Sequence, residues 1–438
     1  MKRLEELISK FPEIPRTIVI KVDLLKRGLK YTPILREVAE WAAPATYSIY
    51  DLDHEYWHTR DDVAKDDVGK GWVKVPCEFR FPDDTTIGTI IDSKSPYEIR
   101  RGTGKYVLSL EETPIIDEII FPPRPKWYTK KTSNNTLMCS VGFQFGDCLM
   151  FVTINHCEYF KTGDACVFCC LNPTTARSRD LGIDRKIVRN IEDFIETYSE
   201  ASKEAAHMNL SGGGLIDRKQ EAGRYVQMLS ALRDGGYRPR PAEWTVSPQA
   251  LEEEDARRLY DLGAEVICYP MEVWQENMWP IICPGKSKFV GRDRWINSLI
   301  KAVEIFGRGN VKAQFVGGCE MAPPHGFKDI DEAVKSTLDG FEWLAQRGII
   351  SQFTQWTNTP GSKFENVEPP PAEYYLKLGY GLHKVLLKYD LSWPKNMCHK
   401  CSPMATRYDF PRLLGEPTNA VKSLAKGVSP LKSRVEEE

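Results

Sequence analysis

The run Cys148-Leu149-Met150-Phe151-Val152-Thr153-Ile154, continuing as Asn155-His156-Cys157-Glu158-Tyr159-Phe160-Lys161-Thr162-Gly163-Asp164-Ala165-Cys166-Val167-Phe168-Cys169-Cys170, decides how the rest of the sequence is read. Its first seven residues form a short apolar stretch that reads as a buried strand. The loop behind it holds Cys157, Cys166 and Cys169 in a C-x8-C-x2-C spacing, with Cys170 directly after. Thiolates are soft ligands suited to iron–sulfur clusters or zinc. Three of them where a closed site needs four leave one metal vertex open, which points to reaction. The competing reading is a structural zinc site completed by His156 or Cys170. Adjacent thiols serve one centre poorly, so Cys170 reads as a small packing residue.

Outward from this loop the chain alternates between strand and helix. Short apolar runs fall at 148–154, 207–210, 243–246, 265–269, 311–316 and 349–353. Between them lie stripes at helical spacing: Ile187, Val188, Ile191, Phe194 and Ile195; Tyr225, Met228, Leu229 and Leu232; Ile296, Leu299, Ile300 and Val303; and Ala333, Leu338, Phe341 and Leu344. Six successive βα units imply parallel strands with right-handed crossovers, and so an α/β fold with a six-unit (βα)6 partial barrel. A loop that follows a barrel strand lies at the C-terminal face, where such barrels carry their chemistry.

Residues 1–125 read differently, as a small N-terminal accessory α+β domain. An amphipathic start is followed by β-like runs such as Trp72–Val75 and Thr86–Ile91, and Phe121-Pro122-Pro123-Arg124-Pro125 reads as a linker. The barrel core spans 126–390, and 391–438 is a C-terminal extension carrying Cys398-His399-Lys400-Cys401. This C-x2-C pair supplies only two ligands, so Cys398 and Cys401 are candidates for a second site, an auxiliary iron–sulfur cluster or zinc. Free thiols are the alternative.

The 438 residues balance 59 Lys and Arg against 61 Asp and Glu, a net charge of −2. A general polyanion binder shows a basic excess instead, so no nucleic-acid partner is expected. No apolar run approaches the ~18 residues of a membrane span, and Glu5 and Glu6 interrupt any signal-like start. A cytoplasmic protein without a membrane partner is expected, its twelve cysteines reduced or metal-bound.

The cysteine loop resembles that of the radical S-adenosylmethionine (radical SAM) superfamily. Members carry three cysteines after the first strand of a six-unit partial barrel, with an aromatic residue before the third; Phe168 stands there. Their commonest spacing is C-x3-C-x2-C, so the eight-residue first gap departs from it. The resemblance implies a [4Fe-4S] cluster on Cys157, Cys166 and Cys169, with SAM on the fourth iron. It also implies a reductant such as ferredoxin or flavodoxin, and reductive cleavage of SAM to a 5′-deoxyadenosyl radical that abstracts hydrogen from a small-molecule substrate. Rearrangement, methylation and sulfur insertion all fit. Modification of a protein or peptide is the alternative, and a non-catalytic metal-clipped nucleic-acid-binding module is the alternative outside enzymes.

Later segments match the same family in order. Ser211-Gly212-Gly213-Gly214 stands where members carry Gly-Gly-Glu against the SAM amino group, though here without the glutamate. Cys268-Tyr269-Pro270-Met271-Glu272 is similar to the branch of biotin synthase, the hydrogenase maturases and methylornithine synthase. There an acid at the position of Glu272 holds the SAM ribose, and an arginine, here Arg294, the SAM carboxylate. Gly317 falls on the fifth strand, which packs on adenine. His325, Gln355, Trp356 and Asn358 are candidate substrate contacts.

Overall fold

A computed structural model describes residues 1–48, 72–92, 94–180, 187–238, 244–391, 400 and 403–414. The N-terminal segment opens with helices Lys2–Lys10, Arg16–Arg27 and Pro33–Ala39. Short strands follow: β1 (Pro44–Ser48), β2 (Trp72–Pro76), β3 (Glu78–Arg80), β4 (Thr86–Gly88), β5 (Tyr97–Arg101), β6 (Tyr106–Leu110) and β7 (Thr113–Ile119). They pair as two antiparallel ribbons, β1 with β2 and β3 with β4, and one three-stranded sheet, β5-β6-β7. The helix Arg16–Arg27 buries even Lys21 and Asp23. Lys21 is satisfied by Asp409, its Nζ 2.7 Å from Oδ2 with both side chains excluded from solvent. This pair ties the start of the chain to its far end.

The main sheet consists of β8 (Phe143–Phe145), β9 (Cys148–Ile154), β10 (His207–Gly212), β11 (Trp244–Ser247), β12 (Val266–Glu272), β13 (Val311–Gly317) and β14 (Ile349–Gln355). Neighbours in space are neighbours in sequence, from β8 at one edge to β14 at the other. β9 to β14 run parallel, whereas β8 is antiparallel to β9. The sheet is curled, and the expected mixed α/β class holds. The six apolar runs read from the sequence coincide with β9 to β14, while β8 was not expected.

Parallel strands need long crossovers, and the helices Ile191–Ala201, Arg218–Asp234, Glu253–Asp261, Arg292–Phe306 and Ile330–Gln346 lie within them. Their buried residues follow the expected stripes, among them Phe194, Tyr225, Met228, Leu229, Leu232, Leu299, Phe341 and Leu344. One stripe was drawn too long. The helix starts at Ile191, leaving Ile187 and Val188 outside, because the Asn190 side chain caps it by accepting from the Asp193 N–H at 2.7 Å.

Alternation along the strands separates two faces. Phe151, Leu210, Val246, Tyr269, Ala313 and Phe353 are buried in the core. The residues of opposite parity include Asn209, Ser211, Thr245, Ser247, Gln314, Gln352 and Thr354, all half-buried. Successive side chains point to opposite faces, so the sheet's inner face is polar and reachable. No helix among the described residues is long and apolar enough to cross a membrane.

Candidate functional site

The cysteine loop leaves the end of β9 and is held in place by three neighbouring segments. The Asn172 side chain grips the backbone of Cys157, accepting from its N–H at 2.8 Å and donating to its carbonyl at 3.0 Å. Cys169 N–H donates to the Cys166 carbonyl at 2.9 Å, closing a turn that places both thiols on one short arc. Val167 N–H donates to the Ile282 carbonyl at 3.0 Å, and Gly285 N–H to the Asp164 carbonyl at 2.8 Å. The segment following β12 thus docks on the loop. Gly285 allows this approach, since a Cβ there would lie 2.5 Å from the Tyr159 ring.

The glycine triplet at the end of β10 is built into the same structure. Gly213 N–H donates to the Ile154 carbonyl, and Glu158 N–H to the Gly214 carbonyl. A Cβ on Gly213 would sit 1.9 Å from the His156 carbonyl oxygen. Backbone packing therefore accounts for Gly213 before any ligand is considered. Ser211 and Gly212 precede it, one half-buried and one exposed.

Glu272 ends β12 at a bulge and adopts a left-handed backbone, φ 70°, which a residue with a side chain rarely takes. Such strain clusters at functional positions. Here it accompanies an ion pair: Lys286 Nζ lies 2.6 Å from Glu272 Oε1, the side chains only 8% and 11% exposed. Lys286 also donates to the Pro270 carbonyl and stands 4.7 Å above the Trp295 ring. Burial opposes its charge, yet Glu272, Cys166 and Cys283 hold its pKa above the ordinary lysine value.

The thiols feel one another and this cation. Burial pushes the Cys157 thiol up, Cys166 adds to that, and Lys286 opposes it. Burial pushes Cys169 up to about 12, with Cys166, Cys170 and Cys157 adding to it. Cys166 is held below its ordinary value by a hydrogen bond with Cys283, against the pull of burial and with help from Lys286. Cys283 is correspondingly pushed well up, chiefly by burial. Among the described residues no three His, Cys, Asp or Glu side chains converge as a single metal ion requires. A four-iron cube takes each thiolate on a separate iron, so its cysteine sulfurs stand farther apart than the ligands of one ion. Soft donors on one ordered loop, with a buried cation beside them, fit an anionic iron–sulfur cluster.

The remaining candidates fall in different places. Phe168 is half-buried against the core. Gly317 is buried, with room for a Cβ denied by Phe353 at 2.8 Å. Arg294 is exposed on the helix Arg292–Phe306 and makes no hydrogen bond or ion pair among the described residues. Its neighbour Arg292 is half-buried instead, donating to the Trp274 carbonyl at 2.8 Å. Gln355 has the parity of the core-facing residues, and its Nε2 reaches the Val22 carbonyl at 3.3 Å. It is a strut to the N-terminal segment. His325 is exposed in a turn, and Asn358 donates to the Glu365 carbonyl. Cys398 and Cys401 lie outside the described residues. Two residues that sequence reasoning missed, Lys286 and Asn172, are the ones that fix Glu272 and Cys157.

No family model matches the chain. Among curated proteins it is similar to the bacteriochlorophyllide c C-7(1)-hydroxylase of Chlorobaculum limnaeum, 22% identical over 259 residues. That match spans 53% of this chain and 58% of the hydroxylase, little more than half of either. Among solved structures it is similar to methylornithine synthase, with a TM-score of 0.42 and 14% identity over 67% of this chain and 78% of that one. A radical SAM methyltransferase from Sphaerobacter thermophilus covers more, 88% of this chain and 91% of its own, at a TM-score of 0.39 and 11% identity. The Sphaerobacter thermophilus protein is named a radical SAM methyltransferase, the class whose cysteine loop that of this chain resembles.

Proposed function

We propose that the chain binds a [4Fe-4S] cluster through Cys157, Cys166 and Cys169, binds SAM at the open iron, and acts on a small molecule. The observation that supports this reading best is one junction. The cysteine loop, the glycine triplet and the Glu272–Lys286 pair meet at the C-terminal ends of β9, β10 and β12. When bound, the cluster supplies the electron that splits the sulfonium of SAM, leaving a 5′-deoxyadenosyl radical to take a substrate hydrogen.

The chain's own residues orient and shield. Asn172 and the Cys166–Cys169 turn pre-set the thiols, so little conformational entropy is lost on metal binding. The remaining Glu272 oxygen, Oε2, is the acceptor for the SAM ribose hydroxyls, while Lys286 holds the carboxylate in place through Oε1. The exposed backbone at Ser211–Gly212 offers carbonyls to the SAM amino group. Arg294 would need to change rotamer or position to meet the carboxylate, and Phe168 and Gly317 shape the pocket. The half-buried polar face carrying Asn209, Thr245, Gln314 and Gln352 is the space for substrate, and burial there protects a radical from side reactions.

In this reading a six-unit partial barrel spans 126–390, residues 1–125 form an accessory domain, and 391–438 carry Cys398 and Cys401 as a second site, an auxiliary cluster or zinc. A ferredoxin or flavodoxin is the electron donor, and the enzyme works in the cytoplasm. The test is anaerobic reconstitution followed by SAM and dithionite. Formation of 5′-deoxyadenosine supports the reading; a loaded cluster without that product refutes it.

A further inference from the structure

Cys283 lies outside the cysteine loop and is fixed against it. Two backbone hydrogen bonds join its segment to the loop, from Val167 N–H to the Ile282 carbonyl at 3.0 Å and from Gly285 N–H to the Asp164 carbonyl at 2.8 Å. Both obey one antiparallel register, with 164 opposite 285 and 167 opposite 282, and that register sets Cys166 opposite Cys283. Directly opposed residues of a regular antiparallel pair hold their Cβ atoms about 4.5–5.5 Å apart, within reach of sulfur on sulfur. The Cys283 backbone is also held from its own side. Its N–H donates to the Trp279 carbonyl at 2.8 Å, and its carbonyl accepts from Ser287 N–H at 2.9 Å.

Cys283 is fully buried, in the apolar core with Trp279 and Ile282. A charge left there costs far more than a neutral thiol, so the group stays S–H, a weak donor. Cys166 is half-buried, and in the proposed cluster its sulfur carries the negative charge that a donor meets best. The N–H groups of Val167 and Cys169 are spent on the carbonyls of Ile282 and Cys166 and are not given to that sulfur. The hydrogen bond that holds the Cys166 thiol below its ordinary pKa joins these two side chains.

We propose that Cys283 is a positioning residue for the cluster: its S–H donates to the Cys166 thiolate and raises the cluster's reduction potential, while Cys283 itself binds no iron. The proposal rests on the reading of Cys157, Cys166 and Cys169 as cluster ligands. A donor to a cluster sulfur draws charge from it and so favours the more negative, reduced state. Hydrogen bonds to the sulfurs are among the determinants of cluster potential, and partners of the ligands tune the metal they hold.

The experiment is a potentiometric titration of the anaerobically reconstituted full chain, without SAM, followed by the electron paramagnetic resonance of the reduced cluster. Cys283→Ala removes the donor. It should load as much iron as the wild type but reduce less readily. Its equilibrium constant for reduction should fall about three- to tenfold, as for loss of one hydrogen bond, tenfold being 59 mV for one electron. Cys283→Ser keeps a donor at nearly the same volume and should recover most of that difference. A potential unchanged or raised in Cys283→Ala overturns the proposal. So does a Cys283→Ser protein that falls as far as Cys283→Ala, which would leave packing alone. Loss of iron from either variant makes Cys283 a ligand or a prop of the loop and overturns it equally. A wild-type chain that takes up no cluster removes the reading beneath; a loaded wild type whose variants share its potential removes only this inference.

Discussion

Lys286 holds its ammonium 2.6 Å from the Glu272 carboxylate, and fourteen residues of chain turn back through two short helices to bring them together. The pair sits where the strained end of β12 meets the cysteine loop. Removing one partner leaves the other charged and buried. Lys286→Met is therefore expected to cost about 3–5 kcal/mol in urea unfolding. The double variant with Glu272→Gln should cost less than the two single losses added, because neither charge is then stranded. Additive losses would show that the two side chains do not act as a pair.

Gly213 has no space for a side chain, its Cβ position lying 1.9 Å from the His156 carbonyl oxygen. Gly213→Ala must push the cysteine loop away from β10. A loss of about 1–3 kcal/mol, the usual penalty of overpacking, is expected from thermal melting, together with poorer iron retention. Gly223, with nothing within 4 Å of its Cβ position on an exposed helix face, provides the control. Gly223→Ala should instead stabilise slightly, by about 0.5–1 kcal/mol.

The sheet was legible because the parallel strands β9 to β14 are short apolar runs set between helical stripes, a pattern written in local sequence. β8 was missed because three residues, Phe143-Gln144-Phe145, carry too little periodicity to stand alone. The Gly146-Asp147 hairpin before Cys148, with Gly146 at φ 53°, was the available signal. In the candidate site, three thiols clustered in one loop behind a strand stand out even with an eight-residue first gap, and Glu272 could be placed by its strand. Lys286 could not. A lone lysine in a helix reads as a solvated charge until tertiary packing buries it, and that packing involves β12, Trp295 and the cysteine loop together. Gln355 misled for a related reason: its position at the end of a strand was visible, but its parity, which turns it toward Val22, depends on the register.

Glu320 is a buried carboxyl following β13, accepting from Thr337 at 2.7 Å, from the Gly318 N–H at 3.0 Å and from Tyr374. Burial pushes its pKa above the ordinary 4.5, against the pull of those donors. The folded state thus binds a proton more tightly than the unfolded chain. Its contribution is fully present below about pH 4.5 and is lost as pH rises through the folded-state value. Relative to Glu320→Gln, the wild type should lose stability as pH climbs from 4.5 toward neutrality. Parallel stability curves for the two proteins across that range would refute the assignment.

Cys157, Cys166 and Cys169 differ from Cys170 in what holds them. Asn172 clamps the first, and a backbone turn joins the other two, while the Cys170 carbonyl accepts from Thr174 N–H as part of the next helix. Each of Cys157→Ala, Cys166→Ala and Cys169→Ala should abolish cluster iron and 5′-deoxyadenosine, since two thiolates do not retain a four-iron cube. Cys170→Ala should retain both. Asn172→Ala provides the finer test. It leaves every thiol in place but frees the Cys157 backbone, so iron content should fall only partly while the rate of iron loss to a chelator rises. Loss of a supporting partner typically weakens metal binding about 10- to 100-fold. An Asn172→Ala protein that releases iron no faster than wild type would show that the clamp has no part in holding the centre.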